Sequence, residues 1–182
     1  STILADASKS YENKDYKNAI KQYLAISPAT EDSLLGVAAC YQSLEDFDNA
    51  IVYYKKAMSV APMNSEIPYY IGYLYSEQQK WIESESFLRK SLALNPEGEA
   101  KNLLSYVMQN LTLANYNEAI NLYEGNNFEA ALTKFNEVLK KEANNAFAYY
   151  YRGLIYDEQK KAAFALREQA ERDAMTKLLN AH

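Results

Sequence analysis

The chain is poor in the residues that interrupt helices and in those that most often perform catalysis. Its 182 residues include 5 glycines and 4 prolines, which disfavours a turn-dense β architecture and favours long helices. The single cysteine, Cys40, excludes an intramolecular disulfide, and we expect it to be a small buried apolar residue. The single histidine, His182, is the last residue. Since the sequence contains no thiol–imidazole pair, zinc ligand set, Ser-His-Asp triad or glycine-rich phosphate loop, we expect no enzymatic activity, no metal and no cofactor.

Long apolar runs and clusters of basic residues are also missing. The stretch LLGVAACY at residues 34–41 is among the longest apolar runs, and it is much shorter than the roughly 20 residues of a membrane span, so we expect no membrane insertion. The formal net charge is −5 and the Lys and Arg residues form no cluster, which argues against nucleic acid and favours a neutral or basic peptide partner.

No signal peptide is visible. Because the chain begins at Ser1, we expect a soluble mature or excised portion that is either cytoplasmic or exported after loss of a targeting segment.

Apolar residues and tyrosine are abundant. Hydrophobic residues make up 48% of the chain, enough for a substantial core, and 17 residues are tyrosine. The stretch YYIGYLYSEQQKW at residues 69–81 returns in similar form as YYRGLIYDEQKKA at residues 150–162. A tyrosine in such a stretch either fills a core or lines a groove for a ligand, and the return of the stretch indicates an internal repeat.

Four amphipathic segments share one pattern of aromatic and small residues. They read DYKNAIKQYLAI (15–26), DFDNAIVYYKKAM (46–58), KWIESESFLRKSL (80–92) and NFEAALTKFNEVL (127–139). Each places a small residue three positions after its first aromatic residue, and its apolar residues recur at intervals of three and four, which predicts a helix. Asp15, Asp46 and Asn127 directly precede the aromatic residue and are candidate N-caps.

A second helix is predicted upstream of these segments. Three such helices place a small residue three positions before a tyrosine, in the pairs Ala38–Tyr41, Gly72–Tyr75 and Gly153–Tyr156. Glycine inside a helix costs roughly 1 kcal/mol relative to alanine, so we expect it where a partner helix approaches too closely for a side chain. The pattern therefore predicts helix-turn-helix hairpins, with Tyr75 in a hairpin core and Tyr70 between neighbouring repeats.

This arrangement resembles the tetratricopeptide repeat (TPR), a pair of antiparallel helices with a period of 34 residues. The second repeat matches the family pattern best, through Leu34, Val37, Ala38, Tyr41, Phe47, Ala50, Tyr54, Ala57 and Pro62. The resemblance implies an all-α fold, a right-handed α-α superhelix (solenoid) of about five TPR-like repeats in a single domain, residues 1–182. The repeats would span approximately 1–30, 31–64, 65–98, 99–145 and 146–182. The fourth would have an extended first helix, and the fifth would end in a charged, solvent-facing capping helix.

The extension in the fourth repeat divides the chain into two halves. We predict one helix from about Glu99 to Glu124, because neither Gly nor Pro interrupts it, and the alternative is two helices broken near Leu113 and Ala114. The apolar residues of its first part either cover the flank of the third repeat or form a protruding arm for self-association.

In TPR proteins the first helices of the repeats line a concave groove that binds partners. The resemblance places these peptide-binding candidates there: Tyr69, Tyr73, Glu77, Tyr116, Ile120, Tyr123, Phe147, Tyr150 and Leu154. The same positions of the first two repeats are Leu4, Ser8, Tyr11, Glu12, Leu35, Ala39, Gln42 and Ser43. Relatives that bind the acidic tails of heat-shock chaperones use Lys, Arg and Asn at positions held here by Leu4, Ser8, Gly36, Glu66 and Tyr70. None of the five matches, so we do not expect an acidic tail as the ligand.

These observations favour a non-enzymatic protein-interaction scaffold that binds an apolar or basic peptide or helix in a tyrosine-rich concave groove. The rival interpretation is a self-associating or assembly subunit, a homo-oligomer that uses the extended helix around residues 99–113. A third alternative is a regulatory TPR domain of a larger protein.

Overall fold

The computed structural model describes residues 2–180, and His182 lies outside the described residues. This part of the chain forms the helices α1 (Thr2–Glu12), α2 (Tyr16–Leu24), α3 (Glu31–Ser43), α4 (Phe47–Val60), α5 (Glu66–Glu77), α6 (Trp81–Leu94), α7 (Ala100–Glu124), α8 (Phe128–Lys141) and α9 (Ala146–Leu179). The predicted all-α class is confirmed.

Backbone contacts divide the chain between Asn110 and Leu111 into two compact units, which we call the first unit and the second unit. The sequence predicts halves that meet between the third and fourth repeats, near residue 99, whereas the units meet within the extended helix, so its first part belongs to the first unit. The single domain over residues 1–182 stays a prediction.

The first unit is a series of three helical hairpins. The hairpins are α1–α2, α3–α4 and α5–α6, and successive hairpins pack through α2 with α3 and through α4 with α5. This is the order that the repeat pattern predicts. We call the side of the first unit formed by α1, α3 and α5 the A-helix face, and we call α2, α4 and α6 the B helices.

The hairpin turns of the first unit share one backbone conformation. In each turn a residue adopts a positive φ two positions before the B helix begins, at Lys14, Glu45 and Gln79. In the first two turns the next residue, Asp15 or Asp46, is the N-cap and its carboxylate accepts a hydrogen bond from the backbone N–H three positions on. These two N-cap predictions are confirmed.

Small residues set the spacing between α5 and α6. A Cβ atom added to Gly72 would lie 2.7 Å from Cγ of Leu88, which is fully buried on the facing helix. Ser84 is also fully buried and donates a hydrogen bond from its Oγ to the carbonyl oxygen of Gly72 at 2.7 Å. The close approach that the glycine predicts is confirmed for this hairpin.

Helix α7 is continuous, as predicted, and its first part belongs to the core of the first unit. Ala100 and Val107 are buried in one cluster with Leu88, and Leu104 packs against that cluster. The apolar side of this segment therefore covers the third repeat, and it is not a protruding arm.

The second unit is built around Phe135 of α8. Its ring is fully buried and stacks on Tyr151 of α9, with 5.3 Å between the ring centroids. The Tyr116 ring of α7 meets Phe135 edge-on at 6.2 Å. Asn127 stands at the N-cap of α8, as predicted, but its side chain makes no capping hydrogen bond.

The prediction that the fifth repeat is a hairpin with a capping helix is wrong. Helix α9 runs unbroken from Ala146 to Leu179. Ile155 in its first part is buried, whereas residues 161–179 are exposed throughout. Gly153 was expected to receive a partner helix, but a Cβ atom added there would have no neighbour within 4 Å. Tyr156, its expected companion in the hairpin core, is 46% exposed.

The third repeat forms a hairpin and the fifth does not, although their turn sequences are alike. The difference therefore comes from the segment that follows the turn. The turn of the third repeat, QQK at 78–80, corresponds to QKK at 159–161. Where α6 presents Leu88 to Gly72, however, the corresponding position of α9 holds Gln169. A glutamine buried in place of a leucine would leave its amide without hydrogen-bond partners. The segment is rich in Ala, Lys, Glu and Gln, which favour a continuing helix.

Candidate functional site

The tyrosines of α5 differ in how they pack. Tyr70 stacks on Tyr54 of the preceding repeat, with 5.4 Å between ring centroids, so its predicted place between repeats is confirmed. Tyr75 packs on Phe87 of α6 but is only half-buried, and the fully buried residue beside it is Leu74. The prediction that Tyr75 belongs to the hairpin core is corrected: its ring lies at the edge of the hairpin.

The three groove candidates of the third repeat lie in different surroundings. Tyr69 is half-buried beside the cluster around Leu88, and Tyr73 is half-buried against the cluster around Ile71. Glu77 is exposed at the end of α5. Tyr69 and Tyr73 therefore combine a packing role with a partly exposed ring.

The other six candidates belong to the second unit: Tyr116, Ile120, Tyr123, Phe147, Tyr150 and Leu154. The three on α7 are half-buried around the core, and the ring of Tyr123 lies 5.3 Å from that of Tyr151. On α9, Phe147 and Tyr150 are 68% and 61% exposed, while Leu154 is half-buried. Phe147 and Tyr150 are therefore the most accessible of these six candidates. The packing of Tyr151, whose ring contacts those of Tyr123, Phe135 and Tyr150, was not foreseen from the sequence.

A cleft of about 390 Å³ lies where α5, the end of α6 and the start of α7 meet. We call it the Tyr69–Glu99 cleft, and its lining includes Glu66, Tyr69, Tyr70, Asn95, Glu97 and Glu99. Burial raises the pKa of both tyrosines, and the Glu99 carboxylate raises both further. Both phenols are therefore neutral at physiological pH. The cleft is not predictable from the sequence, because its residues come from three separate segments.

A second cleft, of about 490 Å³, opens on the A-helix face at α1 and α3. We call it the Leu4–Leu35 cleft. It brings together five positions that the resemblance assigns to the groove of the first two repeats: Leu4, Ser8, Tyr11, Leu35 and Ala39. Asp32 also lines it, from the first turn of α3.

Tyr23 reaches this cleft from a B helix. Its ring occupies the place that a side chain at Gly36 would need, and its hydroxyl lies 3.2 Å from Oγ of Ser8. The sequence does contain one signal for this contact. In α3 the repeat pattern needs a small residue only at Ala38, so a second small residue at Gly36 indicates that another side chain packs there. In the family resemblance, Gly36 stands only at a position of the chaperone-binding pattern, which does not predict this contact.

The A-helix face and the B helices differ in charge. The three helices of the A-helix face carry one base, Lys9, and six acids: Asp6, Glu12, Glu31, Asp32, Glu66 and Glu77. The B helices of the same unit carry three acids, Asp48, Glu83 and Glu85, and six bases: Lys17, Lys21, Lys55, Lys56, Arg89 and Lys90. The negative potential of the first unit is thus concentrated on the A-helix face.

The part of the chain from residue 2 to residue 180 contains neither a metal-binding cluster nor a membrane-spanning helix. No cluster of three or more His, Cys, Asp or Glu residues is placed to hold a metal ion in this range. None of the helices described is both long enough and apolar enough to cross a membrane.

No protein-family model matches the chain. Among curated proteins, it is similar to the probable UDP-N-acetylglucosamine–peptide N-acetylglucosaminyltransferase SPINDLY of Hordeum vulgare, with 23% identity over 155 residues. The alignment covers 83% of this chain and 16% of that protein. The chain therefore spans less than a fifth of this relative.

Solved structures with a similar fold include two that were determined with peptides. The first TPR of Spaghetti (RPAP3), bound to the HSP90 peptide SRMEEVD, matches with a TM-score of 0.56 and 21% identity over 60% of this chain and 90% of that chain. The type III secretion chaperone SycD of Yersinia enterocolitica, in complex with a peptide of the translocator YopD, matches with a TM-score of 0.52 and 24% identity over 68% of this chain and 92% of that chain. At these identities the likeness concerns the fold. The chain has the fold of tetratricopeptide-repeat proteins, which confirms the resemblance found in its sequence.

Proposed function

We propose that the protein is a non-enzymatic protein-interaction module that binds a peptide or helix of apolar and basic character on the A-helix face of its first unit. The observation that carries the proposal is the Leu4–Leu35 cleft of about 490 Å³. Two proteins of the same fold, RPAP3 and SycD, are seen with peptides.

The lining of the Leu4–Leu35 cleft suits an aliphatic side chain flanked by peptide backbone. Leu4, Leu35 and Ala39 supply apolar surface, whose burial stabilises a complex by about 25 cal/mol per Å². Hydroxyl groups from Ser8 and Tyr11 can hydrogen-bond the backbone of the ligand. The two walls of the cleft are tied together, since the Tyr11 hydroxyl lies 3.3 Å from Oγ of a serine at the end of α3.

The charge of the A-helix face favours a basic ligand. Asp32 is exposed at the cleft, where α3 carries no Lys or Arg and α1 carries Lys9 together with the acids Asp6 and Glu12. The peptide bound to RPAP3, SRMEEVD, has three carboxylate side chains. A ligand of that charge would be repelled by the carboxylates of α3 and α5, so we propose a peptide of the opposite sign for this protein.

The tyrosine candidates extend the proposal to further contacts. We propose that Tyr69, Tyr73 and Glu77 continue the ligand surface along α5. In the second unit, Phe147 and Tyr150 are the best placed for a separate contact, because each exposes more than half of its surface. Large aromatic rings provide contact area at a low cost in side-chain entropy.

Selection of peptides from a random library on the immobilised protein tests this proposal. We expect the selected peptides to combine aliphatic residues with Lys or Arg, and we expect Asp32→Lys to weaken their binding by about tenfold or more. The matched control is Glu83→Lys. Glu83 is likewise an exposed acid in the first turn of its helix, but it lies on a B helix, so the two variants change net charge and helix-end electrostatics equally. The proposal fails if the two variants weaken binding to the same extent, or if the selected peptides are acidic.

The alternatives have less support. Self-association through residues 99–113 would need an apolar side that Val107 and Leu104 already direct into the core of the first unit. The similarity to 16% of the much longer SPINDLY agrees with a repeat domain of a larger protein. That arrangement would leave the peptide-binding proposal unchanged.

A further inference from the structure

The Tyr69–Glu99 cleft has the lining of a cation site. Its carboxylates come from Glu66, Glu97 and Glu99, and no Lys or Arg lines it. Lys101 lies 3.9 Å from Glu97 and partly neutralises it. Within residues 2–180, Glu66 and Glu99 have no cation within salt-bridge distance, so two carboxylates remain available to a ligand.

The aromatic part of the cleft is held in place before any ligand arrives. The rings of Tyr69 and Tyr70 lie 5.5 Å apart at 60° to each other. Tyr70 stacks on Tyr54, whose hydroxyl donates a 2.9 Å hydrogen bond to the side-chain oxygen of Gln42. A ring fixed from behind loses little conformational freedom when a ligand stacks on it.

The combination of neutral rings and free carboxylates favours one kind of cation. A guanidinium group is planar and weakly hydrated, it stacks on aromatic faces, and its forked N–H groups pair with carboxylates. An ammonium group can also lie over a ring, as Lys56 does 4.3 Å from the centroid of Tyr53, but it is compact and strongly hydrated and has neither the plane that stacks on a ring nor the fork that pairs with a carboxylate. An anion would meet three carboxylates, and an apolar group would leave them without partners.

We propose that the Tyr69–Glu99 cleft binds the guanidinium group of an arginine residue in the peptide partner. The inference rests on the proposed function for the peptide, because Glu66 and Tyr69 belong to α5 and so to the A-helix face. It names one side chain of the peptide, an arginine, and it gives the peptide a second binding site on that face, separate from the Leu4–Leu35 cleft.

Titration of the isotope-labelled full chain with N-acetyl-arginine amide, followed by amide chemical shifts, tests the site. We expect saturable shifts at residues 65–70 and 95–100. N-acetyl-citrulline amide, which has nearly the same shape without the charge, should bind at least tenfold more weakly, and N-acetyl-lysine amide should also bind more weakly. Free L-arginine should bind no more tightly than the blocked amide, since the proposed ligand is a residue within a chain.

Glu66→Gln and Glu99→Gln should each lower the affinity for the arginine amide by about tenfold, as the loss of one charge-assisted hydrogen bond predicts. Both residues are exposed, so the fold should tolerate the changes. Glu83→Gln, on the B-helix side, is the control and should have no effect. Equal binding of the citrulline amide, unchanged affinity in both variants, shifts elsewhere on the chain, or a clear preference for free L-arginine would each overturn the inference.

The same variants separate this inference from the proposed function. Library-selected peptides that contain arginine should lose about tenfold in affinity for Glu66→Gln and Glu99→Gln. If those peptides lose affinity for Asp32→Lys but bind both glutamine variants normally, the A-helix face binds peptides and the arginine site is refuted. If Asp32→Lys and Glu83→Lys are equivalent while arginine peptides still depend on Glu66 and Glu99, the arginine site stands and the Leu4–Leu35 cleft is not the binding surface.

Discussion

At the scale of single residues, the same residue type has opposite surroundings in two copies of one motif. Gly72 and Gly153 occupy equivalent places in the stretches that begin at Tyr69 and Tyr150. Gly72 is packed against a leucine of the next helix, and Gly153 faces open space. The sequence motif predicts a close approach at both positions, but whether the approach occurs depends on the residue that the second helix offers.

This contrast predicts opposite effects for one substitution. Gly72→Ala should lower the free energy of unfolding by about 1–3 kcal/mol, because the added methyl group would overlap with the buried side chain of Leu88. Gly153→Ala should raise it by up to about 1 kcal/mol, since alanine is the better helix former and has room there. Urea unfolding of the two variants measures both values. If both variants are destabilised equally, a partner helix covers Gly153 and our description of α9 is wrong.

Cys40 gives a prediction about alkaline pH. The residue is buried, as its sequence context predicts, and burial raises the pKa of its thiol from 9.0 to about 11. Between these values the unfolded chain loses a proton that the folded chain keeps, so the contribution of the thiol to stability is complete below pH 9 and falls as the pH rises through this range. The free energy of unfolding of wild type minus that of Cys40→Ala should be constant up to about pH 9 and decrease above it. A difference that stays constant up to pH 11 would contradict the assigned burial of the thiol.

At the scale of elements, the sequence predicts the hairpins because their determinants are local. An aromatic residue, a small residue three positions on and an Asp before them are enough to indicate α2 and α4 with their N-caps. The unbroken α9 is not predictable in this way, since Gln159–Lys161 resembles the turn that ends α5. The Tyr23 contact with Gly36 and the Tyr69–Glu99 cleft were also missed, because each joins segments that are distant in sequence.

Helix α7 provides a matched pair of substitutions. Val107 is fully buried in the cluster around Leu88, whereas Leu113, on the same helix, is 56% exposed. We expect Val107→Ala to lower the free energy of unfolding by about 1–3 kcal/mol through lost burial and a residual cavity, and we expect Leu113→Ala to change it by less than about 0.5 kcal/mol. A neutral Val107→Ala variant would instead support the protruding arm.

The exposed part of α9 should be dynamic. Helical stability in a protein comes mostly from packing of an apolar face, a packing that residues 161–179 lack, and the exposed ion pair between Arg167 and Glu171 contributes little. We expect amides after Lys161 to exchange hydrogen nearly as fast as those of a free peptide, while those around Ile155 are protected. Hydrogen exchange followed by mass spectrometry of peptide fragments measures this. Uniform protection along α9 would show that the exposed part has a partner in solution.

At the scale of the whole molecule, the negative charge and the clefts of the first unit lie on the same surface, the A-helix face. The chain has a formal net charge of −5, and within the first unit the helices of the A-helix face carry a net negative charge, whereas the B helices carry a net positive charge. Both clefts that we assign to ligands include residues of this face. Most of the 17 tyrosines line these clefts or pack in or against the cores of the two units, whereas Tyr106, Tyr149, Tyr150 and Tyr156 are exposed.

The central claim is that a peptide binds on the A-helix face, and a hydrogen-exchange footprint tests it most directly. Exchange of the full chain should be compared with and without a library-selected peptide at a saturating concentration. We predict that the added protection falls on α1, α3 and α5, including the segment around Asp32. Protection confined to the B helices α2, α4 and α6, or to residues 161–179 of α9, would contradict the account.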